Sequence, residues 1–253
     1  MTSRRDRLLE EMGLGPVWRQ RASPPVAPDA PTSAPSQNPI SIHALLPPSV
    51  PPTADADRGA RIMTFDWPAL KEAVAGCEAC ALAKTRTNTV FGVGDENAEW
   101  LLVGEAPGAE EDARGEPFVG QAGRLLDNML GAIGLRRGDN VYIANVLKCR
   151  PPGNRNPEPF EVAQCSPHLE RQIDLIRPKL LIAMGRFAAQ TLLGTDASIA
   201  SLRGRLHKYR GVPLIVTYHP AYLLRSLPDK AKAWEDLVFA RATMRELGGR
   251  LRI

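Results

Sequence analysis

The sequence contains no hydrophobic run that approaches the ~18 apolar residues of a membrane-spanning helix, which argues against a protein embedded in a bilayer. Its opening segment, MTSRRDRLLEEMGLG, lacks the apolar core and the small-residue cleavage site of a secretory signal. The same segment carries acids among its bases, which is not typical of a transit peptide. We therefore expect a cytoplasmic protein with no membrane contact, most simply a bacterial one.

Histidine and cysteine are both scarce, with four of each among 253 residues, and no internal repeat is present. A chain of this length can hold one sizeable core. In a cytosolic chain, so few cysteines are more often metal ligands or free thiols than disulfides. The net charge of +4 permits a polyanionic partner without requiring one. We expect a monomer.

The composition changes sharply along the chain. Between about residues 22 and 58, proline, serine, alanine and threonine dominate, and hydrophobic periodicity disappears. Such a stretch cannot bury enough apolar surface to offset its ordering entropy. We predict an N-terminal extension over residues 1–63, in which a short helix precedes a flexible Pro-rich linker, and a folded domain over residues 64–253. The extension is interpreted as a spacer, with a partner-binding tail as the alternative.

Apolar segments alternate with amphipathic ones in the predicted domain, a pattern typical of strands alternating with helices. The predicted strands cover residues 100–103, 141–145, 179–184 and 212–217. A helix is predicted over residues 161–176, kinked or ended by Pro167. The sequence therefore predicts an α/β fold, a three-layer α/β/α sandwich around a central, mainly parallel four-stranded sheet.

A glycine- and proline-containing turn with the sequence GEAPG follows the first predicted strand at residues 104–108. Acids lie within and just after it: Glu105, Glu110, Glu111 and Asp112. Open α/β sheets place their active sites at the carboxyl ends of strands, so these acids are candidate catalytic groups. A solvated surface turn explains the segment equally well when it is taken alone.

The four cysteines form one short pair, Cys77 and Cys80, and one distant pair, Cys149 and Cys165. Four thiolates suit either a structural zinc ion or an iron–sulfur cluster. A zinc ribbon usually has two C-x2-C pairs, whereas the second pair here is wide and lies in a Pro-rich segment. This departure favours a [4Fe–4S] cluster, with zinc as the alternative and four unrelated buried cysteines as a third.

Four segments together resemble the family 4 uracil-DNA glycosylases, the iron–sulfur members of the uracil-DNA glycosylase superfamily. They are GEAPG at 104–108, PFVGQAGRLLD at 117–127, NVLKCRPPGNR at 145–155 and HPAYLLR at 219–225. The four cysteines fall where that family keeps its cluster ligands, and the resemblance covers about residues 67–247. It implies that residues 64–253 form a catalytic domain that excises uracil from single- or double-stranded DNA without a lyase step, which gives free uracil and an abasic site. It also implies association with the nucleoid during this reaction, and it makes a replication or repair protein the candidate partner of the N-terminal extension.

The resemblance also implies roles in base recognition. Phe118 would stack on the flipped base, and the amide of Asn145 would pair with O4 and N3–H of uracil. The backbone of the turn at Ala106 and Gly108 would contact the substrate. His219 would donate a hydrogen bond to uracil O2 as negative charge develops there.

A second set of roles concerns the sugar and the attacking water. Glu105 is predicted to stabilise the sugar cation or to position the water, and Glu111 is the second choice, with ordering of the loop as its alternative role. Family 1 enzymes carry an aspartate where this chain has Ala106, so the identity of the water-activating residue stays open.

Basic residues in loops or beside the motifs are candidate phosphate contacts. They are Arg150, Arg155, Arg205 and Arg225, with Arg203, Lys208 and Arg210 as weaker candidates, and solvation alone explains any single one of them. Leu223 or Leu224 could wedge into the gap that the flipped base leaves. Either could equally be a core leucine.

The residues present disfavour three other functions. A superfamily branch that traps uracil-DNA covalently through a histidine in an inserted loop is disfavoured, because residues 150–157 contain no histidine and no insertion. A non-catalytic iron–sulfur protein would need the cysteines but not Glu105, Asn145 and His219 together. A nucleotide-binding enzyme is disfavoured because no Walker or G-x-G-x-x-G pattern follows a strand.

Overall fold

The computed structural model describes residues 54–250. The short helix predicted near the start and most of the predicted Pro-rich linker therefore lie outside the described residues and stay predictions. Helix α1 (Ala54–Ile62) falls at the end of the predicted linker, before the predicted domain start at residue 64. Its Arg58 donates hydrogen bonds to the carbonyl oxygen of Gln164 and to Sγ of Cys77, so this helix is tied to the folded domain.

All four predicted strands are present: β2 (Trp100–Gly104), β3 (Val141–Asn145), β4 (Leu180–Met184) and β6 (Val212–Thr217). They pair in parallel in the order β3-β2-β4-β6. Residues of β2, β3 and β4 are buried on both faces. A strand that is covered on both faces is apolar at nearly every position, and such a continuous run is easily recognised in a sequence.

The sheet has six strands, not the predicted four. The two-residue strand β1 (Val93–Gly94) pairs antiparallel with β3 at one edge, and β5 (Leu206–Tyr209) pairs antiparallel with β6 at the other. The full order is β1-β3-β2-β4-β6-β5. Both edge strands escaped prediction because β1 is too short to show a pattern, and β5 has no buried residue and exposes Leu206 and Lys208, as a loop would.

Helices cover both faces of the sheet. They are α2 (Trp67–Ala75), α3 (Ala109–Arg114), α4 (Gln121–Ala132), α5 (Pro159–Ile176), α6 (Arg186–Leu193), α7 (Ile199–Leu202), α8 (Pro220–Leu223) and α9 (Asp229–Glu246). Leu101 and Val103 of β2 point into a core with α5 and α6, while Trp100 and Leu102 point into a second core with α4 and α9. This alternation along one strand confirms the predicted three-layer arrangement.

Helix α5 continues through Pro167, where the sequence predicted a kink or an end. Ser166, which directly precedes the proline, donates a hydrogen bond from its hydroxyl to the carbonyl of Val162. Leu169 and Ile173 beyond it are buried in the core. Packing of this face therefore keeps the second half of the helix in place despite the lost backbone donor.

The carboxyl ends of the four parallel strands meet at one edge of the sheet. Glu105 follows β2, Asn145 ends β3, Gly185 follows β4, and Tyr218 and His219 follow β6. This edge is where an open parallel sheet forms its ligand crevice. In the part of the chain that the structure describes, no helix has the length and apolar character needed to cross a membrane.

Candidate active site

A cleft of about 740 Å³ opens at the carboxyl edge of the sheet. Glu105, Asn145 and His219, which were predicted from three separate motifs, line this one cleft together. Phe118 and Glu111 line it as well. The sequence motifs thus converge on a single site rather than on separate surfaces.

The amide of Asn145 lies at the floor of the cleft, where its residue is only 2% exposed. Its Oδ1 is buried and has no hydrogen-bond partner among the described residues. Gly104, opposite it in the β2–β3 ladder, leaves the room that this amide needs, because an added Cβ would lie 2.4 Å from Oδ1. A buried amide oxygen without a partner is costly, and a ligand donor in the cleft would satisfy it.

The ring of Phe118 stacks on the imidazole of His219, with centroids 5.3 Å apart and planes inclined by 29°. Phe118 has a φ of 54°, and its carbonyl accepts a hydrogen bond from Arg137 Nη2 at 2.8 Å. Gly123 packs so closely under that carbonyl that any Cβ there would overlap it. The backbone is therefore constrained to present an aromatic face to the cleft.

His219 is held in one tautomer. Its Nδ1 accepts a hydrogen bond from the backbone N–H of Ala221 at 3.1 Å, which leaves the proton of the neutral ring on Nε2. Burial lowers the pKa of His219 to about 4; the charge of Arg225 adds to this effect and that of Glu111 opposes it. At neutral pH the cleft therefore contains an uncharged imidazole with an Nε2–H donor.

Glu105 is half-buried at the end of β2, and its backbone carbonyl accepts the N–H of Leu147 at 3.1 Å. Burial raises the pKa of its carboxyl above the ordinary 4.5, and the charge of Arg186 opposes that rise. No hydrogen bond to the carboxyl comes from the described residues, so the group is available to a ligand. The neighbouring Ala106 and Gly108 also line the cleft, as predicted.

Glu111 braces the loop that leads from β2 to Phe118. Its Oε2 accepts the N–H of Gly108 at 3.1 Å, and its Oε1 accepts the N–H of Val119 at 3.2 Å. Both carboxylate oxygens are thus engaged by backbone donors. This geometry favours the predicted alternative role, ordering of the loop, over a direct part in the chemistry.

The predicted DNA contacts divide into several groups. Arg225 is exposed and lines the cleft, whereas Arg205 is exposed but is not part of its lining. Arg155 lines the cleft but forms a bidentate ion pair with the buried Glu161, at 2.6 and 2.9 Å. Arg150 lies in the neighbouring loop, where its Nε donates to Asn154 at 2.8 Å.

Leu224, one of the two candidate wedges, is 39% exposed but is not part of the cleft lining. Leu223, the other candidate, is a core residue, as its alternative interpretation had it: it is 1% exposed and packs with Tyr218 and Ala233. Tyr222, one position earlier, is 39% exposed and lines the cleft. The side chain that projects from α8 toward the cleft is therefore a tyrosine.

Two functional candidates escaped the sequence analysis, Arg186 and Tyr222. Arg186 lies two residues beyond the end of β4 at Met184, so the strand-end rule extended to every strand would have found it. Tyr222 stacks on Tyr218 with centroids 5.3 Å apart, and its hydroxyl donates to Asp229 at 2.6 Å. No sequence signal separates it from its leucine neighbours.

The four cysteines line one pocket between α2, the loop after β3 and α5. Three of them accept hydrogen bonds at sulfur: Cys77 from Arg58, Cys149 from Arg86 and Cys165 from the backbone N–H of Lys148, at 3.4, 3.2 and 3.2 Å. Donors directed at sulfur suit thiolate ligands of a cluster. No group of three or more metal-binding side chains with the geometry for a single ion occurs within residues 54–250.

Comparisons with known proteins agree with this geometry. A family model described as the uracil DNA glycosylase superfamily matches residues 91–238. The type-4 uracil-DNA glycosylase of Archaeoglobus fulgidus is 50% identical over 159 residues, which cover 60% of this chain and 79% of that protein. The type-4 uracil-DNA glycosylase of Thermotoga maritima is 42% identical over 183 residues, covering 71% and 95%. A type-5 uracil-DNA glycosylase of Pyrobaculum aerophilum is 34% identical over 146 residues, covering 51% and 64%.

Proposed function

The chain belongs to the uracil-DNA glycosylase superfamily and, within it, to the type-4 uracil-DNA glycosylases, and from this premise we propose that it is a monofunctional enzyme. It extrudes uracil from DNA and hydrolyses the N-glycosidic bond with water, which releases free uracil and leaves an abasic site without cleaving the strand. The observation that carries this proposal is the convergence of Glu105, Asn145 and His219 on one cleft.

Base recognition rests on Asn145 and Phe118. The buried amide offers one acceptor, the unpartnered Oδ1, and one donor, Nδ2–H. Uracil presents the complementary N3–H and O4, whereas cytosine presents an acceptor and a donor in the reverse order. The ring of Phe118 stacks on the extruded base. Recognition of uracil therefore needs no charged group at the floor of the cleft.

Departure of the base places negative charge on uracil O2. The Nε2–H of the neutral His219 is the donor for that charge, because Nδ1 is already occupied by the N–H of Ala221. A preorganised donor stabilises the developing anion more than the neutral carbonyl, and this difference lowers the barrier.

The sugar becomes electron-poor as the bond breaks, and a carboxylate stabilises it. Glu105 is the acid with no partner in the cleft, so it either faces the sugar cation or orients the attacking water. The opposing charge of Arg186 favours the ionised form of this buried carboxyl. Glu111, with both oxygens occupied, supports the loop that carries Glu105.

The duplex is held through phosphates, with exposed Arg225 and Arg186 at the cleft as the main contacts. We assign the filling of the gap in the base stack to Tyr222, because it is exposed and lines the cleft, whereas Leu223 is buried and the equally exposed Leu224 is not part of the cleft lining. An aromatic ring can stack on the neighbouring base as well as separate it from its partner.

Cys77, Cys80, Cys149 and Cys165 are proposed to hold a [4Fe–4S] cluster. Their common pocket and the donors directed at their sulfurs support this assignment. The bound cluster would supply covalent links between the segments on which these cysteines lie, and we assign it no step in the reaction.

The proposal is tested by incubating the purified, cluster-loaded protein with a labelled oligonucleotide that contains one uracil. Alkali should cleave the strand at that position after incubation, and no cleavage should occur without alkali, since no lyase step is proposed. An intact strand after alkali would refute the glycosylase activity.

The absorption spectrum identifies the metal group at the four cysteines, because iron–sulfur clusters absorb in the visible range and zinc does not.

Gly104→Ala is expected to abolish most activity while the fold survives. The added Cβ would lie 2.4 Å from Oδ1 of Asn145 and 2.7 Å from Cζ of Phe118, so both base-reading groups must move. Displacement of this size costs about 10²-fold in rate. Single-turnover excision measures the effect, and Gly131→Ala, at a helical glycine with open space around it, is the control. Equal rates for the two variants would show that the floor of the cleft does not read the base.

The acid limb of the pH–rate profile is expected to report Glu105. Burial raises its pKa above 4.5, so this carboxylate is protonated, and activity is lost, before His219 gains its proton at about pH 4. Activity should therefore fall as the pH decreases through the Glu105 pKa. Excision rates at saturating enzyme between pH 4 and 8 measure the limb. Glu105→Gln should remove this acid limb together with most of the excision rate. Glu110→Gln, at an exposed glutamate, should leave the acid limb in place.

A further inference from the structure

The most unusual charge in the described structure lies beneath the cleft. Lys148 is 1% exposed, and its ammonium forms no ion pair with any carboxylate of residues 54–250. It donates instead to the backbone carbonyl of Asn145 at 2.9 Å and to Oε1 of Gln172 at 2.6 Å. A buried cation without a counter-charge is strongly unfavourable. The two hydrogen bonds to neutral acceptors are therefore important for keeping this side chain in the core.

The same lysine lies against the cysteine site. Burial lowers the pKa of Lys148 to about 8, and the nearby Cys165 and Cys149 oppose that fall. The backbone N–H of Lys148 donates to Sγ of Cys165 at 3.2 Å. Gln172, the second acceptor, is itself fixed by donation to the carbonyl of Phe91 at 2.9 Å. The lysine thus belongs both to the strand end that reads the base and to the cysteine site.

Each of the three residues between Asn145 and Cys149 is held by a hydrogen bond from its backbone N–H. The N–H groups of Val146 and Leu147 donate to the carbonyls of Gly104 and Glu105 at 3.0 and 3.1 Å, and that of Lys148 donates to the Cys165 sulfur. Five consecutive residues therefore connect a cleft amide to a cysteine ligand. Movement at the cysteine end would be transmitted to the backbone of Asn145.

We propose that Lys148 is a positioning residue that links the cysteine site to Asn145, because its side-chain amine holds the carbonyl of Asn145 while its backbone N–H holds the sulfur of Cys165. It touches neither the base nor the sugar, and it acts by fixing the backbone from which the base-reading amide projects. The inference rests on the proposed function, since it assigns Asn145 to uracil and the four cysteines to a cluster.

Lys148→Met tests the link, because methionine keeps an unbranched side chain and removes the charge and the donors. We expect the excision rate at saturating enzyme, per loaded cluster, to fall by about 10- to 10²-fold. The enzyme concentration at half-saturation should change less than twofold, because phosphate contacts are untouched. The reduction potential of the cluster should become more negative, since a positive charge beside it is lost. Lys84→Met removes an exposed lysine and should change none of the three.

A second variant covers the case in which Lys148→Met does not fold. Gln172→Met removes the other acceptor of the ammonium without altering Asn145 or a neighbour of a cysteine, and it should lower the rate in the same way by a smaller factor. A folded, cluster-loaded variant of either kind with a rate within twofold of the parent overturns the inference. So does a loss of activity that only follows the loss of cluster. Failure of the parent protein to excise uracil would instead refute the proposed function.

Discussion

Alanine in place of His219 is expected to slow uracil excision by about 10²- to 10³-fold, the cost of removing one preorganised oxyanion donor. The neutral ring offers Nε2–H to uracil O2 because Nδ1 is held by the N–H of Ala221. A donor that serves the departing anion acts mainly in the transition state. The loss should therefore appear in the rate at saturating enzyme and only weakly in DNA affinity, both measured with a uracil-containing duplex.

The matched control is His207→Ala. His207 also makes one hydrogen bond to backbone, from Nε2 to the carbonyl of Leu202 at 2.8 Å, but it is not part of the cleft lining. Its replacement should leave the rate within twofold. If His219→Ala behaves like this control, the imidazole only supports Phe118 and caps α8, and the leaving base must be stabilised by other donors.

The central strands could be predicted from the sequence because each is buried on both faces. A run such as Trp100–Gly104 serves two cores at once, so no polar residue interrupts it. The edge strand Leu206–Tyr209 is buried on neither face, and its residues alternate between exposed and half-buried. Its existence depends on pairing with β6, a long-range contact that a local pattern does not reveal.

The site could be predicted where one rule operated, that polar residues follow parallel strands at a common edge. This rule brings Glu105, Asn145 and His219 together from positions far apart in the chain. The rule says nothing about positions inside a helix, and the four-residue helix α8 is too short to show the periodic pattern that separates buried from exposed positions. No pattern in the sequence therefore distinguishes the candidate wedges Leu223 and Leu224 from Tyr222, and only the structure shows that Leu223 is buried.

The burial of a charged side chain is the property that is hardest to predict from the sequence. Lys148 stands beside Arg150 in a basic segment that resembles a solvated DNA-binding loop. Only the packing of Gln172 and Cys165 around it shows that its charge faces inward. Arg155 is a second case, because its bidentate pairing with the buried Glu161 fixes the loop before any phosphate is bound. A basic residue near a DNA site is thus not necessarily a DNA contact.

Asn145→Asp is expected to lower the preference for uracil over cytosine by about 10²-fold or more. The substitution removes a favourable pairing with O4 of uracil and adds one with the amine of cytosine, and each unpaired buried polar group costs about 1–3 kcal/mol. The carboxylate keeps an acceptor for N3–H but replaces the Nδ2–H donor with a second acceptor, which repels uracil O4. Cytosine places its exocyclic amine at that position and gains a partner. Excision rates on matched uracil and cytosine duplexes give the ratio directly.

The control for added charge is Asn156→Asp, the same substitution at an exposed asparagine that lines the cleft. It should weaken binding of both duplexes through phosphate repulsion and leave the uracil-to-cytosine ratio unchanged. A reduced ratio for Asn145→Asp alone therefore isolates base reading from electrostatics. An unchanged ratio in both variants would mean that the unpartnered Oδ1 does not face the base, and that discrimination resides in the stacking ring and the backbone of the GEAPG turn.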